Sequence, residues 1–391
     1  MRRGSSFAFV LILVAIIIIS SYSCFPNSVS TPSSNNPPPE NSTNQQQPII
    51  ITDNISSPQS IQKANGIKSQ ILFGRWGHLT QISPALSIED LDKCELDVMD
   101  EDGSNQIVLT PANLITSWAD WSPDKSKMVI QSNRDRAWKW ESDLFIINPD
   151  GSNIRKITNA GGGATVNSGG PVYKGPSWSP DGTMIAYAKT YVLYSTNMRA
   201  YKYNVYLMNS DGTHEKEVTF CPQGETAELP QWFPDGKRLA YIYSESGFYH
   251  IQSIDIVSHN LIAYGIQIKF PEQLGDITNY SLSPDGTKIV FSNDTYRDQN
   301  NLGRELFIYD IATGLTTQLT NNDFDDDFPC WSPDGKQILF GRYNWKNWVA
   351  NSSSTFDLKC DECGLYKINV DGTNERKMPG TDVTFMPIKW R

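Results

Sequence analysis

The chain has 391 residues with a formal net charge of −10, and 39% of the residues are hydrophobic. This charge argues against a nucleic-acid partner, because phosphate backbones recruit basic surfaces. It also argues against direct adsorption to an anionic membrane surface.

The N-terminus has the layout of an export signal. Two arginines follow Met1, and the stretch from Phe7 to Ile19 is continuously apolar. Such a run is too short for a membrane span, which needs about 20 residues, so residues 1–23 are predicted to be a signal peptide. The residues up to Cys24 resemble a bacterial lipoprotein signal, which implies lipidation of that cysteine. An ordinary signal peptide or an uncleaved anchor remains the alternative, and all three place the body of the chain outside the cytoplasm.

Residues 24–66 are rich in proline, serine, asparagine and glutamine. Such a composition cannot bury a core, so we expect a disordered tether. It would hold the globular part, residues 67–391, away from a membrane that it touches only through the N-terminal lipid or anchor.

A repeat dominates the remaining sequence. A Trp/Leu-x-Pro-Asp motif recurs with its aspartates at positions 124, 181, 235, 285 and 334, a spacing of 49 to 57 residues. A period near 50 in a β-type sequence is typical of propeller blades.

Each repeat predicts four strands. The first ends in the tryptophan, and the Ser-Pro-Asp-Gly that follows is a turn. The second strand alternates in polarity, as in Met184–Ala188, and the third is represented by Val205–Met208. A second Asp-Gly turn leads to a fourth strand that ends in threonine, as at Thr219. Alternation bounded by Gly, Pro and Asp is the signature of antiparallel strands.

These Pro-Asp repeats resemble those of the TolB-type propeller family over most of residues 71–391. The resemblance implies the fold more strongly than the function. Residues 71–75 match a second strand with no first strand before it, whereas residues 386–390 look like a first strand with nothing after it. The sequence therefore predicts an all-β, six-bladed propeller of four-stranded antiparallel blades, closed by the C-terminal strand, which protects the sheet edges.

The cysteines suggest one local disulfide. Cys360 and Cys363 have the spacing of a redox or metal pair, but no second pair and no nearby histidine completes a zinc site. We predict a disulfide that staples a loop, with a pair of free thiols as the alternative, and we expect no metal. The odd number of cysteines after Cys24 leaves at least one without an intramolecular partner.

No catalytic motif stands out, and no cofactor is expected. The chain lacks the Gly-x-Ser-x-Gly elbow of serine hydrolases, and its glycine-rich run at 161–170 lacks the Gly-Lys-Ser/Thr of a phosphate-binding loop. The acidic residues at 323–327 do not have EF-hand spacing. We expect them to form a solvated turn, with a calcium site as the alternative.

Topology separates a face of short Asp-Gly turns from a face with all the long loops, here called the loop face. Long loops on a rigid scaffold are where binding residues concentrate. Aromatic residues and arginines are frequent there, and these are the types that dominate interface energetics. We predict ligand contacts at the mouth of the central channel, although packing of the loops onto the blades is an equal alternative. The candidate residues are Arg75, Trp76, Arg134, Arg342 and Tyr343.

The first functional hypothesis is a binding module that engages a protein or a wall or sugar polymer outside the cytoplasm. Protein binding in the cell envelope is also what the TolB resemblance implies. The alternative is a polysaccharide lyase or hydrolase, since some related propellers are enzymes of that kind. A scaffold without a small ligand is the third option.

Overall fold

The structure is a computed structural model that describes thirteen stretches of the chain: residues 70–76, 94–110, 116–134, 142–158, 171–190, 193–195, 198–200, 203–245, 248–256, 277–298, 301–343, 362–381 and 385–391. The signal peptide, Cys24 and the tether lie outside them. Within these stretches the secondary structure is β-strand without helix. No described residue therefore belongs to a helix that could cross a membrane.

The strands form six blades, numbered here in chain order after the first, incomplete unit. Blade 6 combines the first three strands, β1 (Gln70–Trp76), β2 (Cys94–Asp100) and β3 (Ile107–Val108), with the last one, β25 (Phe385–Trp390). Blade 1 contains β4 (Thr116–Trp121), β5 (Met128–Ser132), β6 (Asp143–Ile147) and β7 (Arg155–Lys156). Blade 2 contains β8 (Val172–Trp178), β9 (Met184–Thr190), β12 (Tyr203–Asn209) and β13 (Lys216–Glu217), with a small hairpin of β10 (Leu193–Ser195) and β11 (Met198–Ala200) between its second and third strands.

The other three blades follow the same plan. Three strands of blade 3 are described: β14 (Thr226–Trp232), β15 (Arg238–Glu245) and β16 (Phe248–Asp255). Blade 4 contains β17 (Ile277–Leu282), β18 (Lys288–Asp298), β19 (Asn301–Asp310) and β20 (Thr316–Gln318). Blade 5 contains β21 (Asp325–Trp331), β22 (Gln337–Tyr343), β23 (Gly364–Asn369) and β24 (Arg376–Lys377).

The C-terminal strand closes the ring, as predicted. β25 pairs antiparallel with β1 from Ile71 opposite Trp390 to Arg75 opposite Phe385. Backbone hydrogen bonds between Gln70 and Arg391 extend this ladder, with Arg391 N donating to Gln70 O at 2.9 Å. Because β25 also adjoins β21 of blade 5 and β4 of blade 1, the six sheets form an unbroken circle with the first strand of each blade innermost.

The repeated tryptophans pack between blades. Trp178 of blade 2 lies in a buried cluster with Val129 and Leu144 of blade 1. Trp331 of blade 5 goes further and donates its indole N–H to the carbonyl of Ser281 in blade 4 at 3.0 Å. Trp390 occupies the same position in the closing strand and packs on residues of blade 5. The sixth blade is thus joined to its neighbour like the others.

Two polar devices recur with the repeat. In four of the Ser-Pro-Asp turns the serine hydroxyl donates to the aspartate two residues later, for example from Ser179 to Asp181 at 2.6 Å. In five blades the threonine that ends the fourth strand accepts the backbone N–H near the start of the third, as Thr219 does from Val205 at 2.8 Å. The threonine hydroxyls thereby satisfy backbone N–H groups that have no partner in the strand ladder.

Two of the long loops that the sequence predicts on the loop face, at residues 189–204 and 293–304, are largely strands. Much of the stretch from Lys189 to Asn204 forms the β10–β11 hairpin and the flanking strands. The stretch from Asn293 to Arg304 continues β18 and β19 as one long hairpin, in which Thr295 pairs with Gly303. The expectation of irregular loops here was wrong, because the pairing partner across a hairpin satisfies the backbone whatever the polarity of the side chains.

Candidate functional site at the channel mouth

The innermost strands share a bulge near the loop face. In all six blades the pairing register of the first and second strands shifts at this point. In blades 2, 3 and 5 a proline lies within this bulge. Proline is tolerated there because an innermost strand pairs on one side only, and its other edge faces the channel without a ladder partner. The residue before each of these prolines has a left-handed backbone, with φ of 58° at Gly175, 52° at Leu229 and 56° at Phe328.

This backbone conformation is strained for the two residues that are not glycine. A left-handed φ costs a side-chain-bearing residue of order 1 kcal/mol or more, and such strain is characteristic of functional sites. In blade 3 the strain is held by a contact from the next blade, since the Tyr280 hydroxyl donates to the Leu229 carbonyl at 2.9 Å. The bulges therefore form a rigid collar around the mouth of the channel.

An ion pair joins the collar across blades 2 and 3. The Lys174 ammonium lies 2.6 Å from the Glu228 carboxylate, and both side chains are largely buried, at 14% and 13% exposure. The same ammonium lies 5.6 Å from the centre of the Tyr203 ring. Both charges are neutralised within the wall, so this part of the collar offers a ligand no unpaired charge.

A denser charge cluster joins blades 4 and 5. Asp327 is 1% exposed and accepts hydrogen bonds from Asn279 at 3.0 Å and from Ser292 at 2.5 Å. Its second oxygen lies 2.5 Å from the guanidinium of Arg304, whose Nε lies 3.1 Å from Asp294. Asp325 and Asp326 are also buried. The expectation that residues 323–327 form a solvated turn was therefore wrong for these three carboxylates, because arginines from neighbouring strands compensate their charge.

The Arg342 side chain also lies among these buried carboxylates. Its guanidinium binds Asp326 through two hydrogen bonds, at 2.7 and 2.9 Å, and Glu375 through a third at 2.6 Å. It also stacks over the Tyr366 ring at 4.3 Å. Burial alone would lower the pKa of Arg342, but the hydrogen bonds that it donates to the two carboxylates outweigh burial and raise that pKa. Direct ligand contact by Arg342 stays a prediction, and the structure shows its donors already engaged.

The other predicted contact residues are dispersed around the ring. Tyr343 is 6% exposed and meets the Phe328 ring edge-on at 6.3 Å, so it supports the blade 5 bulge. Arg134 lies at the end of the second strand of blade 1, half-buried, with its guanidinium 5.8 Å from the centre of the Phe145 ring. The backbones of Arg75 and Trp76 lie at the end of β1, where Arg75 pairs with Glu95, and their side chains fall outside the described part of the molecule.

Sequence reasoning missed a group of polar and aromatic side chains at the loop-face end of blade 3. Tyr243 donates its hydroxyl to the Glu225 carboxylate and its ring meets the His250 imidazole edge-on at 5.4 Å. Glu245 pairs with Phe248 one step further along the hairpin. Tyr243 and His250 are neighbours only through strand pairing, so no local motif could have announced them. The absence of a long insertion between β15 and β16 was the one available signal.

The cysteines fall into two groups. Cys330 is a free, buried thiol that accepts the backbone N–H of Trp390 at 3.1 Å. Cys363 is engaged in a disulfide. The pairing predicted for it, with Cys360, involves a residue outside the described range and stays a prediction.

In the described stretches of the chain, no three His, Cys, Asp or Glu side chains are arranged to hold a metal ion.

The comparisons with known proteins agree with this architecture. Residues 188–343 match the TolB beta propeller domain family. The structure superimposes on TolB from Acinetobacter baumannii with a TM-score of 0.56 at 19% identity, covering 82% of this chain and 66% of that one. The chain is a TolB-like β-propeller.

Two further similar proteins carry names that point to different roles. Putative TolB from Agrobacterium tumefaciens has a TM-score of 0.50 and 18% identity, with 83% of this chain and 99% of that one covered. Dipeptidyl-peptidase 5 of Porphyromonas endodontalis is 28% identical over 152 residues, which are 39% of this chain. The matched segment covers only 20% of the length of that peptidase. These likenesses support the fold and leave the activity open.

Proposed function

We propose that this TolB-like propeller is an extracytoplasmic binding module, held at a membrane by a lipid on Cys24 and a tether over residues 24–66. It engages a protein partner, or a wall or sugar polymer, through its loop face. The predicted contacts of Arg75, Trp76 and Arg134 around the channel mouth form part of this surface. Arg342 and Tyr343 support the collar beneath it.

The observation that carries the proposal is the contrast between the two faces. On the turn face, the carboxylate oxygens of the tight-turn aspartates accept hydrogen bonds from nearby backbone N–H groups and hydroxyls. Asp211, for example, accepts one from the Thr213 hydroxyl at 2.7 Å and one from the Thr213 backbone N–H at 2.9 Å. Their pKa values are lowered by these hydrogen bonds, which are the largest cause at Asp181, Asp285 and Asp371. On the loop face, two aromatic side chains, Phe220 and Phe248, are 65% and 67% exposed, whereas the turn face exposes the aliphatic Leu315 at 67%.

The described channel collar favours a rigid scaffold and offers few reactive groups. The charged side chains of the described collar are paired with each other, as Lys174 is with Glu228 and Arg304 with Asp327. A binding role requires only that surface residues are held in place, whereas a hydrolase or lyase needs a polar group of suitable pKa within reach of its substrate. The polysaccharide-degrading enzyme remains the competing reading.

The test is capture of a partner from a detergent-solubilised envelope fraction by the full chain. We expect the wild type to retain a defined partner and a Trp76→Ala/Arg134→Ala variant to retain less of it. The matched control is Leu315→Ala, which removes an exposed side chain of the turn face. Capture of no partner, together with depolymerisation of a wall or plant polysaccharide, would replace the binding role by the enzymatic one.

A further inference from the structure

The loop-face end of blade 3 carries a group of side chains, here called the blade 3 patch: the exposed Glu245 and Phe248 and the half-buried Glu225, Tyr243 and His250. Tyr243 is opposite His250 and Glu245 is opposite Phe248 in the β15–β16 ladder. Residues two apart on a strand and directly opposite on its neighbour point to the same side of a sheet. The hydrogen bond from Tyr243 to Glu225 extends the row to the innermost strand.

The patch is unusual because it leaves large aromatic surface in water. Phe248 is 67% exposed. Phe220, at 65% exposure, precedes Cys221, which is buried in the same cluster against which Tyr243 packs. Contiguous exposed apolar surface that is rimmed by polar groups commonly marks an interaction site. Aromatic side chains of this kind also dominate the energetics of known interfaces.

The patch is also acidic. Among the described residues, no lysine, arginine or histidine nitrogen lies within 4.0 Å of the Glu225 or Glu245 carboxylate, whereas Glu228 of the same blade has Lys174 at 2.6 Å. Burial lowers the pKa of His250, although the nearby Glu245 raises it, so the net shift favours the neutral imidazole. Burial also raises the pKa of Tyr243, which keeps its hydroxyl protonated as the donor to Glu225.

We propose that the blade 3 patch binds an arginine- or lysine-bearing segment of a protein partner. The inference rests on the binding role proposed above and names the chemistry of its partner. A carboxylate beside an exposed aromatic ring offers a cation both an ion pair and a cation–π contact. Arginine fits best, because its planar guanidinium stacks on a ring while its N–H groups bind a carboxylate.

Charge selects this occupant over the alternatives. The chain has a net charge of −10, and like charges across an interface repel, so an acidic polysaccharide would be disfavoured at a patch that carries two of the chain's carboxylates. A neutral glycan would use the aromatic rings and gain nothing from the carboxylates. The two carboxylates therefore distinguish a cationic peptide from a sugar.

The experiment measures fluorescence anisotropy of a fluorescein-labelled octapeptide of alternating serine and arginine, titrated with the full chain in detergent. The test variant is Glu225→Gln/Glu245→Gln, and a second variant, Phe248→Ser, removes only an exposed ring. The charge-matched control is Glu101→Gln/Glu362→Gln, which removes two exposed carboxylates elsewhere. Glutamine at 362 still accepts the hydrogen bond that the Tyr366 hydroxyl donates there.

We expect the test variant and Phe248→Ser each to weaken binding about fivefold to tenfold, with the control within twofold of the wild type. Equal loss in the test and control variants would overturn the patch and indicate only overall charge attraction. Binding of a neutral oligosaccharide that depends on Phe248 but not on the glutamates would also overturn it. If the wild type captures an envelope protein that the glutamine variant captures equally well, the patch fails while the proposed binding function stands.

Discussion

Replacing Arg304 by methionine tests whether the charge cluster between blades 4 and 5 holds the channel collar together. Arg304 is 3% exposed and Asp327 is 1% exposed, so water cannot take over the role of the lost guanidinium. The substitution removes the contact to Asp327 at 2.5 Å and the one to Asp294 at 3.1 Å. Methionine keeps much of the packing of the arginine stem.

The expected loss follows from the desolvation of the remaining charges. Removing one partner of a buried ion pair costs about 3–5 kcal/mol, because the other charge is left uncompensated. Asp327 retains hydrogen bonds from Asn279 and Ser292, which places the expectation near the lower end, at about 3 kcal/mol. Asp294 is left with a carboxyl group whose pKa burial already raises.

The chain provides its own control. Arg238 and Asp235 form an ion pair at 2.8 Å with side chains 40% and 36% exposed. Because exposed pairs contribute about 0–1 kcal/mol, Arg238→Met should have little effect. Urea unfolding followed by circular dichroism measures both variants, at low salt and at about 0.5 M salt, where only the small Arg238 effect should fall. If Arg304→Met destabilises the protein no more than Arg238→Met does, the structural role assigned to the cluster is wrong.

Three smaller predictions concern a buried thiol and two of the repeated hydrogen bonds. Burial raises the pKa of the Cys330 thiol to about 11, so a thiol reagent at pH 8 should modify it only after unfolding, and rapid labelling of the native protein would contradict its position under the closing strand. Ser179→Ala should cost about 1 kcal/mol at pH 7. The serine hydrogen bond is the largest cause of the lowered pKa of Asp181, so this stability is present above the unfolded pKa and is lost as pH falls through the lower folded value. The penalty should therefore shrink by pH 2–3 in thermal melts, and a penalty that is constant with pH would argue against this hydrogen bond. Thr219→Val leaves the buried Val205 N–H without its acceptor and should cost about 1–3 kcal/mol in the same melts, whereas no loss would mean that water replaces the hydroxyl.

The repeat made the fold predictable because each blade uses the same residue types for its turns and for packing against the neighbouring blade. Trp121, Trp178, Trp232 and Trp331 mark the end of the innermost strand in blades 1, 2, 3 and 5, and all four are buried. The composite blade followed from the same pattern, because Trp390 continues the series and residues 71–75 lacked a first strand. Local turn chemistry and period-2 alternation were sufficient for these features.

The site was less predictable because its contacts join distant parts of the chain. The carboxylates of Asp325–Asp327 look like a solvated turn until strand pairing and blade stacking bring Arg304 and Arg342 against them. The same holds for Arg342, which was predicted to contact a ligand at the channel mouth, whereas the folded chain gives it two carboxylate partners. Such contacts depend on which strands pair within a blade and on how neighbouring blades pack, and the spacing of residues along the chain specifies neither.

Hydrogen exchange of the closing ladder tests the architecture most directly, since the assignment of loops to one face depends on it. The account predicts slow exchange in residues 385–391 and 70–76 of the full chain, and a large loss of protection in residues 70–76 when residues 385–391 are deleted, while strands β14 to β16 of blade 3 keep most of theirs. Unchanged protection of residues 70–76 in the deleted chain would show that another segment lies beside β1, and the loop face with its proposed contacts would then have to be redrawn.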